Sequence, residues 1–154
     1  MEFKKIMYIW IIVVMVGALI GVQTASAATS RIVLYGNSHD RAPWEAFSTR
    51  YEATSFNSTT ADICLDAYAR LYVDDEWRAW RYLDFNIYDS KGNLIFNITR
   101  STSILNGYVA IGLGNDYLCR WNPGDYILNV SYPGNERKGW PATSTTAIIH
   151  HTIC

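Results

Sequence analysis

Three cysteines, three asparagine sequons and a group of tryptophans are the residues whose types and spacing could do chemistry in this chain. Cys64, Cys119 and Cys154 stand 55 and 35 residues apart. No Cys-x-x-Cys pair and no neighbouring histidine accompanies them, so they read as disulfide formers, and no zinc site is expected. An odd number leaves one over, and Cys154, near the end of the chain, is the candidate for cross-linking to another chain. Asn57, Asn97 and Asn129 each begin an Asn-x-Ser/Thr triplet, the acceptor for N-linked glycans in exported chains. Trp77, Trp80 and Trp140 lie in polar stretches with Asp74, Asp75 and Glu76, a combination suited to binding a sugar or a protein. The competing reading is that these rings cap a core. The three carboxylates lack the ligand spacing of a calcium loop, and no metal is expected there.

Enzyme chemistry has little to work with. His39, His150 and His151 are the only imidazoles. There is no Gly-x-Ser-x-Gly, no His-Glu-x-x-His and no glycine-rich phosphate loop. On a strand, His150 and His151 point to opposite faces and cannot share one metal. The expectation is a non-enzyme with no cofactor.

The elements that would carry these residues follow from the amino-terminal segment and the periodicity. Lys4 and Lys5 precede an apolar run over residues 6–22, and Ala25-Ser26-Ala27 has the small-x-small form that signal peptidase accepts. This predicts an N-terminal signal helix over residues 1–27, cleaved after Ala27, with export to an extracellular or cell-surface location. The run exceeds the usual signal core of about 7 to 15 residues, so residues 6–22 are also a candidate membrane tether. Losing Glu2, Lys4 and Lys5 leaves 11 basic and 13 acidic side chains. A balance so near neutrality offers no electrostatic footprint for nucleic acid.

Leu83, Phe85 and Ile87 alternate with polar neighbours and Tyr residues, the two-residue period of a half-buried strand. After the turn cluster Asp89-Ser90-Lys91-Gly92-Asn93, Leu94, Phe96 and Ile98 resume the alternation as the second arm of a hairpin. Ile63 to Val73, Tyr108 to Leu113 and Tyr126 to Tyr132 read as further strands, with Arg31 to Tyr35 and Thr143 to His151 at the ends. Residues 40–60 show neither period, which leaves a short helix or an edge segment open. About seven strands without an amphipathic helix predict an all-β antiparallel sandwich, with a small barrel as the alternative.

The stretch Asn122-Pro123-Gly124-Asp125-Tyr126-Ile127-Leu128-Asn129-Val130-Ser131-Tyr132-Pro133-Gly134-Asn135 resembles the Pro-Gly-x-Tyr and Tyr-x-Gly-Asn signature of prokaryotic immunoglobulin-like repeat domains of surface and adhesin-like proteins. Trp140-Pro141-Ala142-Thr143 is similar to that family's lead into its last strand, and the Asp89 to Asn93 cluster to its mid-domain turn. The resemblance covers about residues 61–153. It implies an immunoglobulin-like sandwich over residues 61–154, with residues 28–60 supplying an N-terminal strand and an irregular segment of the same domain. It also implies a scaffold, spacer or recognition role, and no catalytic residues. Tyr126 would be a tyrosine corner, its hydroxyl reaching back to upstream backbone. The three cysteines depart from the family. In such a topology Cys64, Cys119 and Cys154 share one end, where Cys64 to Cys119 is the first choice of bridge and Cys119 to Cys154 the second. The expected partner is an extracellular protein or a glycan, the latter at the Trp77, Trp80 and Trp140 end.

Overall fold

The computed structural model describes residues 26–37, 50–58, 64–114 and 118–152. The signal segment up to residue 25, the tether candidate within it, and residues 38–49 and 59–63 lie outside the described residues. Among the described residues, no helix is long and apolar enough to cross a membrane.

The described residues form ten strands: β1 (Ser30–Asn37), β2 (Arg50–Glu52), β3 (Ser55–Ser58), β4 (Cys64–Val73), β5 (Glu76–Trp77), β6 (Tyr82–Tyr88), β7 (Leu94–Ser101), β8 (Tyr108–Gly114), β9 (Gly124–Tyr132) and β10 (Thr143–His151). They form two sheets of five strands. In the first, β2, β1 and β4 run side by side, and β8 and β5 both pair with the other edge of β4. In the second the order is β3-β10-β9-β6-β7. All pairs are antiparallel except β3 with β10. β1 thus belongs to one sheet and β3 to the other, with the chain changing layers at Ala53 and Thr54. There Ala53 N–H still donates to Leu34, while Thr54 already accepts from Ile148. This is the all-β sandwich that the periodicity predicts.

The core is the sum of the inward parities. Ala67, Ala69, Leu71 and Val73 from the first sheet, and Leu83, Phe85, Ile87, Leu128, Val130 and Ile149 from the second, are fully buried. Each of the larger side chains contributes about 1.5–3 kcal/mol over an exposed position. At the β9 end of the core the Tyr126 hydroxyl donates to the Asn122 carbonyl at 2.7 Å, which is the tyrosine corner.

Residues 50–58, within the stretch without a clear period, form the short edge strands β2 and β3, the edge-segment alternative that the sequence left open. With β5 they raise the expected seven or so strands to ten among the described residues. Two further details differ from the sequence reading. Asp74 and Asp75 turn β4 into β5 with φ of 52° and 63°, two successive left-handed residues that close a tight hairpin. Leu94 does not join the inward row of Phe96 and Ile98: the register shifts at Ile87/Tyr88, and Leu94 is left 53% exposed.

Candidate recognition surface

The outer face of the first sheet is built from the residues that alternate with the core. On β4 these are Tyr68, Arg70 and Tyr72. Register sets Tyr35 of β1 beside Tyr68 and Arg31 beside Tyr72. On the other edge, Tyr108 of β8 lies opposite Arg70, and Trp77 of β5 opposite Tyr72. β2 adds Arg50 at the margin, opposite Asn37.

These side chains interleave cation and ring. The Arg50 guanidinium lies 4.4 Å from the Tyr68 centroid and 4.4 Å from that of Tyr108. Arg70 lies 4.1 Å from the same Tyr108 ring, 5.6 Å from Trp77 and 6.0 Å from Tyr72. Arg31 covers Tyr72 at 4.3 Å. Because Arg50 and Arg70 both reach the Tyr108 centroid, their charges are at most about 8.5 Å apart. At that separation their repulsion is about 0.5 kcal/mol in bulk water and about 2 kcal/mol at the effective dielectric of a protein surface. Each cation–ring contact returns about 0.5–1 kcal/mol at exposed sites, which is why the row holds. Tyr35 and Tyr108 meet edge to face at 5.2 Å beneath it.

The hydrogen bonding separates the three arginines. Arg31 pairs with Asp75 at 3.3 Å. Arg70 donates to the Asn106 carbonyl and to the Tyr72 hydroxyl. Among the described residues Arg50 has no hydrogen-bond or ion-pair partner, so its donors are unspent while its plane is already stacked. The Tyr35 and Tyr72 hydroxyls are 2.9 Å apart. Burial, then the bond to Tyr72, pushes the Tyr35 phenol well above the usual range. Burial acts upward on Tyr72 too, but the bond from Tyr35 and the nearby Arg70 and Arg31 charges outweigh it and lower that phenol. This surface chemically fits carboxylate recognition by stacked guanidiniums.

The tryptophans singled out from sequence do not form one platform. Trp77 is 39% exposed and packs flat on Gly107, where a methyl group would sit 2.4 Å from the ring. Trp80 is 63% exposed with φ of 54°, a strained setting for a bulky residue. Trp140 is half-buried against the core and is approached by Arg78 and Arg81 at 5.1 Å and by Lys138 at 4.8 Å. No ring contact joins the three among the described residues. The carboxylates beside them are each engaged: Asp74 caps Thr29 N–H, Asp75 pairs with Arg31, and Glu76 pairs with Arg78. No group of metal-holding side chains occurs among the described residues.

Asn57 and Asn97 are exposed, on β3 and on the edge strand β7. Asn129 is half-buried on the central strand β9. Register lines up Asn97, Asn86 and Asn129 across the outer face of the second sheet, with the Asn97 amide on Asn86 at 2.5 Å. Cys119 is disulfide-bonded. The side chain of Cys64 and all of Cys154 lie outside the described residues. The backbone of Cys64 lies opposite Gly114 at one end of the sandwich. At that end Trp121 packs on Tyr126 and His151.

Sequence reasoning missed two arrangements. One is the Tyr–Arg row, whose only one-dimensional trace is the parity of Tyr68, Arg70 and Tyr72. The other is a buried contact of 2.6 Å between Ser58 Oγ and His151 Nδ1. His150 points the other way, to Asp125 at 2.7 Å, so no carboxylate completes a triad with His151 through that residue.

No family model and no curated protein matches this chain. A solved structure described as beta-glucosidase from Listeria innocua in complex with glucose aligns over 82% of this chain and 17% of that chain, with a TM-score of 0.39 and 8% identity. The chain therefore spans about a sixth of that enzyme's chain. A likeness at this level transfers neither fold nor glycosidase chemistry.

Proposed function

We propose that this chain is a secreted or surface-exposed immunoglobulin-like module, without catalytic activity, that binds a protein partner through the outer face of its first sheet. The observation that carries the reading is the row Arg50, Tyr108, Arg70, Tyr72 and Arg31, in which Tyr and Arg, with Trp77 at the margin, concentrate on one sheet face. These are the residue types that dominate binding hot spots, and here their stacking is complete before any partner arrives. Export through residues 1–27, with glycans at Asn57, Asn97 and Asn129, belongs to the same proposal. Asn57 and Asn97 are the more open acceptors.

Binding of the labelled, secreted chain to intact cells and surface extracts of its native host tests it. Arg50→Glu is expected to weaken binding at least tenfold, and Thr146→Glu, on the outer face of the other sheet, by less than twofold. Equal loss from both, or no loss from Arg50→Glu, would overturn it. A second reading, sugar binding at the loop tryptophans, is favoured by the strained and exposed Trp80. It predicts a glycan-array signal that Trp80→Ala abolishes.

A further inference from the structure

Resting on that reading, we infer that the partner offers a carboxylate-rich polypeptide segment, whose acidic side chains take the guanidinium donors of Arg50 that no described residue uses and lie along the row toward Arg70. The outer face brings three guanidiniums together in sequence, and the ion pair between Arg31 and Asp75 neutralises one of them. Two positive charges at most about 8.5 Å apart remain without an ion-pair partner among the described residues. Glu52, opposite Tyr35 on β2, adds a carboxylate to the same face without an ion pair among the described residues, so the two guanidiniums around Tyr108 outnumber it. A neutral partner would have to leave these charges desolvated and unpaired, whereas a carboxylate entering beside Arg50 gains a charge-assisted, two-pronged bond.

Two features choose a polypeptide over an acidic polysaccharide. The ring faces of Tyr68, Tyr72 and Tyr108 are occupied by guanidiniums, so a sugar ring has no open aromatic platform to stack on. An exposed sheet face also presents donors at intervals of about 5 Å across strands and about 7 Å along them, spacings that aspartate and glutamate side chains reach with free rotamers. Stacking matters as much as charge: Arg50 lies over two rings, and a lysine at that position would keep the charge and lose the fork.

The probe is fluorescein-labelled poly-L-glutamate, titrated by anisotropy into the secreted chain at low ionic strength. Arg50→Ala, Arg50→Lys and Arg137→Ala are compared, the last removing one exposed positive charge from the turn over residues 136–138. The expected result is binding that weakens with salt, is lowered about tenfold by Arg50→Ala and several-fold by Arg50→Lys, and changes less than twofold with Arg137→Ala. Absence of binding, or equal losses for Arg50→Ala and Arg137→Ala, overturns the inference. So does tighter binding of polygalacturonate or of single-stranded RNA than of poly-L-glutamate. If poly-L-glutamate fails while Arg50→Glu still abolishes binding to host cells, the acidic chemistry falls and the recognition face stands.

Discussion

Tyr126 shows how one side chain can be read from its neighbours. Pro123 and Gly124 make the turn, the hydroxyl returns to Asn122, and the aromatic ring packs at the end of the core, all within five residues of chain. Tyr126→Phe should cost about 1 kcal/mol in denaturant midpoint analysis, near the value of one hydrogen bond, because the exposed Asn122 carbonyl can turn to water. The phenols also set an alkaline limit. Burial raises Tyr35, Tyr126 and Tyr132, so their neutral forms favour the fold. That contribution is whole below the unfolded tyrosine pKa of about 10 and is lost as pH rises through the higher folded values. Tyr72 is lowered and acts in the opposite sense, gaining as its phenolate forms. Three against one predicts a net fall in unfolding free energy between pH 9 and about pH 12. An unchanged midpoint across that range would contradict the burial of these hydroxyls. Tyr72 should ionise first in an ultraviolet titration, and Tyr35→Phe should return it toward the ordinary value.

At the scale of elements, the strands that carry a continuous inward row were legible: β6, β9 and β10 begin and end close to where alternation does. What one dimension hid were features fixed by a neighbour. The Asp74-Asp75 turn lacks the glycine that usually marks a two-residue hairpin, and Leu94 keeps its parity on paper while a register shift turns it out. The Tyr–Arg row was half legible. Tyr68, Arg70 and Tyr72 declare a common face, but the partners Arg50, Tyr108 and Arg31 come from three other strands, and only pairing brings them in. β5 and the β7–β8 loop are held partly by the flat contact of Trp77 on Gly107. Gly92→Ala, with φ of 83° and open space around it, should cost about 1–2 kcal/mol from backbone strain alone. Gly107→Ala, with φ of 70° and a ring 2.4 Å away, should cost about 1–3 kcal/mol more and red-shift Trp77 emission as the ring is displaced. Equal losses for the two variants would mean that Trp77 gives way freely.

For the whole molecule, the layer architecture followed from period and spacing, since seven half-buried strands can hide their apolar faces only against one another. The bridge followed less well, because connectivity depends on which strand ends meet. With three cysteines and Cys119 oxidised, mass analysis of the non-reduced monomer should find one internal bridge and one remaining thiol. Reduction should lower stability by about 2–5 kcal/mol. Three free thiols in protein purified under oxidising conditions would contradict this. The two outer faces differ in chemistry, one stacked guanidiniums over tyrosines and the other a line of asparagines, and the proposed recognition face is the first. A photo-reactive phenylalanine analogue placed at Ala110, exposed beside Tyr68 on the first sheet, and separately at Thr146 on the second, measures that assignment on the native cell surface. Adducts to a protein from position 110 and none from position 146 are predicted; adducts from position 146 alone, or equally from both, would place the partner elsewhere.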